Sequence, residues 1–530
     1  LRRGGHDPAK VYAAYKSAIE HEGSPTVILA QTIKGYGLGE AGEGKNITHQ
    51  QKKLNEQEMR EFRSRFGIPI SDNDIADAPF YRPPDDSDEI KYLKERREVL
   101  GGYLPKRSSI VQPIKLPPDD IFDEFLKGTG EREIATTMVF VRLLSKLLKD
   151  KNIGKNIVPI VPDEARTFGM EALFRQIGIY SPVGQNYEPV DKESLLYYKE
   201  SIDGAILEEG INEAGAMSSF IAAGTSYSTH GINMIPFFIF YSMFGFQRIG
   251  DLIWAAGDMR TRGFLIGGTA GRTTLAGEGL QHQDGNSQLL AYPVPNLKTY
   301  DPAYAYELAV IIKDGIKRMY YSHEDIFYYI TVMNEFYKMP PMPDGAEEGI
   351  LKGIYKFRKS EISGSRPKAH LLGSGTILNE ALKAQGILQE KYSVSADVWS
   401  VTSYKELYID AVNTERENLL ALGKEPAIPY ISRQLSDKDA VYITASDYIK
   451  ALPGSLAKWI PGNPVFLGTD GFGRSDNRSS LRDFFEVDYR FITLAALYSL
   501  LRENKIRPDI VKSAIRDLDI DPEKANPLCS

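Results

Sequence analysis

The sequence predicts an α/β protein built on doubly wound parallel sheets, with a further α/β domain at its C-terminal end. Three observations predict this. Short apolar runs recur at 157–161, 235–241, 264–266 and 327–331, with helical stretches between them. Polar and aromatic groups gather after these runs, as at Ser242-Met243-Phe244-Gly245-Phe246-Gln247-Arg248, where open α/β sheets bind ligands. The alternation resumes beyond Met339-Pro340-Pro341-Met342-Pro343-Asp344-Gly345.

Composition narrows the function classes. The 530 residues are 42% hydrophobic and 25% charged, which suits a globular chain. A net charge of −7 argues against a general nucleic-acid surface. The one cysteine, Cys529, has no second cysteine to pair with, which fits a reducing compartment such as the cytoplasm. No apolar run approaches the roughly 20 residues that a membrane span needs.

In chain order, Asp7 and Pro8 predict a helix start, with Val11, Tyr12, Tyr15 and Ile19 on one face. Gly23 ends that helix and Thr26–Ala30 reads as a strand. These are the helix and second strand of a βαβ unit, so the chain is expected to begin inside a domain. A glycine-rich loop follows, with Lys34 at the strand end and His49 on the far side; such a loop suits closure over a ligand, or a plain surface linker. Residues 52–68 read as a charged helix, and 77–120 as a Pro-rich connection holding a helix near 88–100. The expected domains are therefore 1–76, 121–338 and 346–530, with linkers at 77–120 and 339–345.

The segment Ile134–Lys149 reads as an amphipathic helix with Ile134, Met138, Val141, Leu144 and Leu148 on one face. The buried strand 157–161 ends at Asp163-Glu164-Ala165-Arg166-Thr167, and a glycine-rich loop from Gly267 leads to Gln281-His282-Gln283. Asp301 and Pro302 predict the cap and first residue of a helix over 302–317. In the last domain, strands are expected at 370–372, 397–401, 441–443 and 465–467.

One acid stands out. Glu213 opens a run of small and apolar residues, Ala214 to Ala223. Burial there would raise its pKa above about 4.3 and suit it to proton exchange near neutral pH. An exposed helix-start acid complementing the helix dipole is the plainer alternative. None of the seven histidines forms an H-E-x-x-H zinc spacing, and no G-x-S-x-G elbow is present. Gly373-Ser374-Gly375 alone is weak evidence for a nucleotide site. Lys34, His49, Glu164, Glu213, Phe244 and His282 thus describe an acid–base site with an aromatic platform, without naming a reaction.

Several long motifs carry a resemblance: Asp163-Glu164-Ala165-Arg166-Thr167-Phe168-Gly169-Met170, Tyr241 through Asp251, Gly277-Glu278-Gly279-Leu280-Gln281-His282, and Leu467-Gly468-Thr469-Asp470-Gly471-Phe472-Gly473-Arg474-Ser475. Over essentially the whole chain the sequence resembles the homodimeric, thiamine-diphosphate-dependent decarboxylating components of bacterial pyruvate dehydrogenase complexes. The resemblance implies a transketolase-like fold. It also implies oxidative decarboxylation of pyruvate, with acetyl transfer to the lipoyl group of dihydrolipoyl acetyltransferase, in the step from glycolysis to acetyl-CoA. By this resemblance Glu213 bonds the aminopyrimidine of thiamine diphosphate and Phe244 stacks on it. His49 serves acetyl transfer, while Lys34, Glu164, Tyr241 and His282 surround the reactive end and the pyruvate. The implied partners are a second copy of the chain, which completes the site, and the lipoyl domain and core of the acetyltransferase.

Two features depart from the family pattern. The Gly-Asp-Gly motif, with a later Asn, that holds Mg2+ and diphosphate is not found; Thr469-Asp470-Gly471 is a near miss. Its ligands are expected upstream of Leu1, so no metal ligand is assigned here. Gln283 stands where the family pattern has Glu. Alternatives are another 2-oxo acid dehydrogenase, a transketolase, or a non-catalytic dimerisation or interaction fragment.

Overall fold

The computed structural model describes residues 4–50, 52–102, 111–162, 165–190, 198–362, 364, 366–423 and 425–530. The chain forms two compact units, Leu1–Lys106 and Arg107–Ser530.

In the first unit, Asp7 caps the helix Pro8–Glu20 by accepting from the amides of Ala9 and Lys10. The strand expected at 26–30 does not form. Val27 and Leu29 lie exposed, and no described residue pairs with this segment in a ladder. A lone extended segment has no neighbour to take its backbone hydrogen bonds. The glycine-rich loop after it folds on itself. Gly44 N–H donates to Lys34 O at 2.9 Å, and Thr48 Oγ1 donates to Gly42 O. The loop packs on the helix Glu56–Phe66 through the ion pair Arg65–Glu43 at 2.5 Å. A further helix, Asp88–Val99, matches expectation.

In the second unit, the short helix Asp120–Leu126 precedes the helix Thr136–Leu147 of the middle domain. The buried residues of the longer helix include the predicted Val141 and Leu144 together with Val139, Phe140, Leu143 and Leu147, while predicted Met138 is exposed and Ile134, also buried, sits in a two-residue strand before the helix. Six parallel strands follow in the spatial order Leu207–Glu208, Ile157–Val161, Ile235–Tyr241, Phe264–Gly268, Phe327–Thr331, Leu297–Tyr300. Two central strands carry a proline, which donates nothing to a ladder. The register explains both. Pairing with Leu207–Glu208 begins only at Ile160, just after Pro159. Pairing with Phe264–Gly268 begins at Phe237, just after Pro236. Each proline therefore stands where one side of its strand is still open.

The strand order reverses between Ile157–Val161 and Ile235–Tyr241. The chain leaves the first towards Leu207–Glu208 and the second towards Phe264–Gly268, on opposite sides. The crevice at their carboxyl ends is the switch point of this sheet.

The helix predicted at 302–317 runs from Ala305 to Ile316, and Asp301 does not cap it. Asp301 is buried and accepts instead from Thr331 Oγ1 at 2.7 Å and Tyr448 OH at 3.3 Å. Glu307 receives the amides of Ala303 and Tyr304 at the helix start.

The C-terminal domain holds five strands in the order Ile354–Arg358, Ser395–Val401, Lys368–Gly373, Ala440–Ala445, Val465–Leu467. Only the first pair is antiparallel. The middle and C-terminal domains interlock. Lys405 Nζ, buried, donates to the carbonyls of Ala291, Val294 and Leu297 at 2.8, 2.6 and 2.8 Å. That satisfies all three of its protons. Lys298 pairs with Glu406 at 2.7 Å beside it.

Candidate active site

The helix Glu213–Gly224 starts at Asn212, whose Oδ1 accepts from Gly215 N–H at 3.0 Å. That cap fixes the first turn, and the turn places Glu213 inward, with 7% of the residue exposed. Next to it packs the helix Phe244–Asp258, which begins directly at the end of the strand Ile235–Tyr241. Ile249 departs from helical dihedrals, so the first turn, with Phe244 and Arg248, is offset from the rest. Phe244 and Arg248 are four residues apart and share a face. The Arg248 guanidinium lies 3.8 Å over the Phe244 ring, and its Nη1 donates to Glu213 Oε1 at 2.7 Å.

His282 reaches the same platform from the glycine-rich loop. Its ring centre is 5.1 Å from Phe244 and 5.1 Å from Tyr241. Tyr241 in turn meets Phe168 at 5.4 Å. Among the described residues, buried His282 Nδ1 has no hydrogen-bond partner, nor has Ser242 Oγ at the strand end. Glu213, Tyr241, Phe244 and His282, separated by up to 69 positions in the sequence, are thus brought to one switch-point crevice.

Three more site residues were predicted. Glu164 lies outside the described residues, together with Asp163. Lys34 and His49 belong to the first unit, where both are exposed; His49 ends the short turn Asn46–His49. Arg248 was not among the predicted site residues. Its spacing from Phe244 is the signal that could have found it.

The site can hold a flat, nitrogen-rich ring. Arg248 provides the test of fit. A planar group with N–H donors already stacks on Phe244 and bonds Glu213 at the same time. A bound aminopyrimidine needs those two contacts.

The fold is that of the transketolases. Transketolase from Leishmania mexicana superposes with a TM-score of 0.66 at 14% identity, over 94% of this chain and 65% of that one. Transketolase from Campylobacter jejuni gives 0.62 at 17%, over 93% and 66%. Within that class, residues 115–340 match the family model for the pyruvate dehydrogenase E1 component middle domain, and 353–488 match the transketolase-like C-terminal domain. The pyruvate dehydrogenase E1 components of Pseudomonas aeruginosa and Escherichia coli K12 are 57% and 53% identical over 100% and 99% of the chain. That of Mycobacterium tuberculosis is 48% identical over 99%. The chain belongs to the pyruvate dehydrogenase E1 component family. It spans 57–60% of the length of these relatives.

Proposed function

We propose that the protein of which this chain is part decarboxylates pyruvate and passes the acetyl group to a lipoyl group, using thiamine diphosphate and Mg2+. The observation that carries this reading is the buried Glu213 carboxylate beside the Phe244 face, with Arg248 bonded to the one and stacked on the other. Family membership supports the choice of reaction.

Glu213 is placed to exchange a proton between its carboxyl oxygen and a ring nitrogen. Phe244 sets the plane of the ring, and Arg248 must give up its place there. His282 Nδ1, with no partner among the described residues, is available to donate to the substrate's oxygens. Tyr241 packs against His282 and limits its rotation. Bound thiamine diphosphate supplies the electron sink that lets carbon dioxide leave a 2-oxo acid. Lys34 and His49 act from the glycine-rich loop, His49 in the acetyl transfer. A second copy of the chain completes the site, and the Mg2+ ligands come from the part of the protein not in this chain.

The test is titration of the full-length protein with thiamine diphosphate and Mg2+, followed by pyruvate turnover and acetylation of a lipoyl domain. Saturable binding with both partial reactions is expected. Failure to bind the cofactor would overturn the reading. Binding followed by turnover of a sugar phosphate but not pyruvate would replace it with a transketolase reading.

A further inference from the structure

We propose that the C-terminal domain positions the active-site loop 269–286, and through it His282, with Asp447 and the segment Thr469–Arg478 as the positioning groups. This rests on the assignment of His282 to the active site and deepens it.

The C-terminal sheet has a switch point of its own. The chain leaves Lys368–Gly373 towards Ser395–Val401, and Ala440–Ala445 towards Val465–Leu467, on opposite sides. Ligands bind in such crevices. Here the crevice is filled by the middle domain. Asp447, fully buried, takes four hydrogen bonds from two consecutive loop residues. Oδ1 accepts from Thr273 N–H at 2.8 Å and Thr273 Oγ1 at 2.7 Å; Oδ2 accepts from Thr274 N–H at 3.0 Å and Thr274 Oγ1 at 2.5 Å. Thr274 Oγ1 also meets Thr376 Oγ1 at 2.6 Å. Gly271 has φ +89°, and a Cβ there would fall 2.3 Å from Asp447 Oδ2.

A second strip of contacts holds the rest of the loop. Arg272 Nη1 donates to Gly471 O at 2.7 Å and to Thr469 O. Arg478 Nε donates to Thr274 O at 2.7 Å. Ser475 Oγ donates to Glu278 O at 2.6 Å, and Gly277 N–H to Asp476 O at 3.3 Å. Arg474 N–H donates to Gln283 Oε1 at 2.7 Å, while Gln283 Nε2 donates to Leu275 O at 3.2 Å. Gln283 therefore both accepts and donates, which a carboxylate could not do. Ile449 N–H closes on Gly285 O at 2.9 Å. The loop forms no sheet ladder between Gly268 and Leu297, and His282 ends only the three-residue turn Leu280–His282, so these bonds do most to fix where that turn sits. The motif Leu467–Ser475 gains a reason. Gly473 lies so close that a Cβ would stand 2.6 Å from Leu280 O.

Three variants of the full-length protein test this. Gly473→Ala adds a methyl against Leu280 O, at a backbone φ that is not in the left-handed region. Ser475→Ala removes one exposed hydrogen bond, and Ser475→Thr keeps the hydroxyl. Amide hydrogen exchange of 277–285 reads the loop, pyruvate kcat and KM read the site, and thermal melting reads the fold. Expected results are faster exchange and a kcat lowered about 10-fold in Gly473→Ala, with melting held. Ser475→Ala should follow in the same direction, less strongly, and Ser475→Thr should recover. Unchanged exchange in Gly473→Ala and Ser475→Ala would overturn the positioning role. So would a kcat loss that only tracks the unfolded fraction, with Thr no better than Ala at 475. Faster exchange with unchanged kcat would instead refute the place given to His282, and with it the catalytic part of the proposal.

Discussion

Arg248 holds Glu213 by a 2.7 Å hydrogen bond, so a buried acid of the crevice is paired with a side chain that is itself about half exposed. The pair is asymmetric. Glu213 is fixed by its helix turn, whereas Arg248 is a long side chain on an offset first turn and can move away.

Glu213→Gln keeps an oxygen for Arg248 and the size of the side chain, but removes the exchangeable carboxyl proton. Pyruvate decarboxylation should fall by more than about 100-fold. The melting temperature should move by less than about 3 °C. Wild-type turnover in steady-state assays would remove Glu213 from the mechanism.

His49→Ala should weaken acetyl transfer more than decarboxylation. A loss of about 100-fold in lipoyl acetylation is expected, with a much smaller loss when an artificial electron acceptor replaces the lipoyl domain. Equal losses in the two assays would count against this division of roles.

Asp301 ties stability to pH. Burial pushes its carboxyl up to about 7, although Oδ1 accepts from Thr331 and Tyr448. The folded chain therefore keeps a proton that the unfolded chain loses near pH 4. The stability contributed is full below the unfolded value and is lost as pH rises towards 7. Asp301→Asn does not titrate. Its stability relative to wild type should rise by on the order of 3 kcal/mol from about pH 4.5 to about pH 8. Urea midpoints at several pH values measure this, and a difference flat with pH would show that Asp301 is ionised throughout.

His370 should act in the opposite sense. Burial pushes its imidazole down to about 4, and Trp399 Nε1 donates to Nδ1 at 3.0 Å, which requires that nitrogen to be unprotonated. Its contribution is present above the unfolded value near 6.5 and is lost as pH falls towards 4. His370→Asn should be less stable by about 1–2 kcal/mol at neutral pH, from lost packing on Tyr442, and the gap should narrow below about pH 6. Melting curves across that range decide it.

Central strands were legible because burial on both faces writes a continuous apolar run, as in Ile235–Tyr241. Edge strands were less so: Val465–Leu467 was readable, but the other sheet edges were not. Leu207–Glu208 and Leu297–Tyr300 pair on one side only, and Ile354–Arg358 reads Ile-Tyr-Lys-Phe-Arg, with Lys356 and Arg358 facing solvent. The segment 26–30 shows the reverse error, because an apolar run becomes a strand only if a partner exists. At the site, Glu213 and Phe244 could be read from their motifs. The hold of Asp447 on Thr273 and Thr274 spans more than 170 positions, and no local pattern encodes it. Asp301 looked like a helix cap because Asp-Pro is a common helix start; the fold used its carboxyl to bridge two domains instead.

The Lys405 contacts have a consequence for the covalent chain. Lys405 grips three carbonyls of the middle domain, more than 100 positions away in sequence and well apart from the linker at 339–345. The peptide bonds of that linker carry little of the cohesion. A chain nicked there, or encoded as two separate polypeptides, would still find its other half and reassemble.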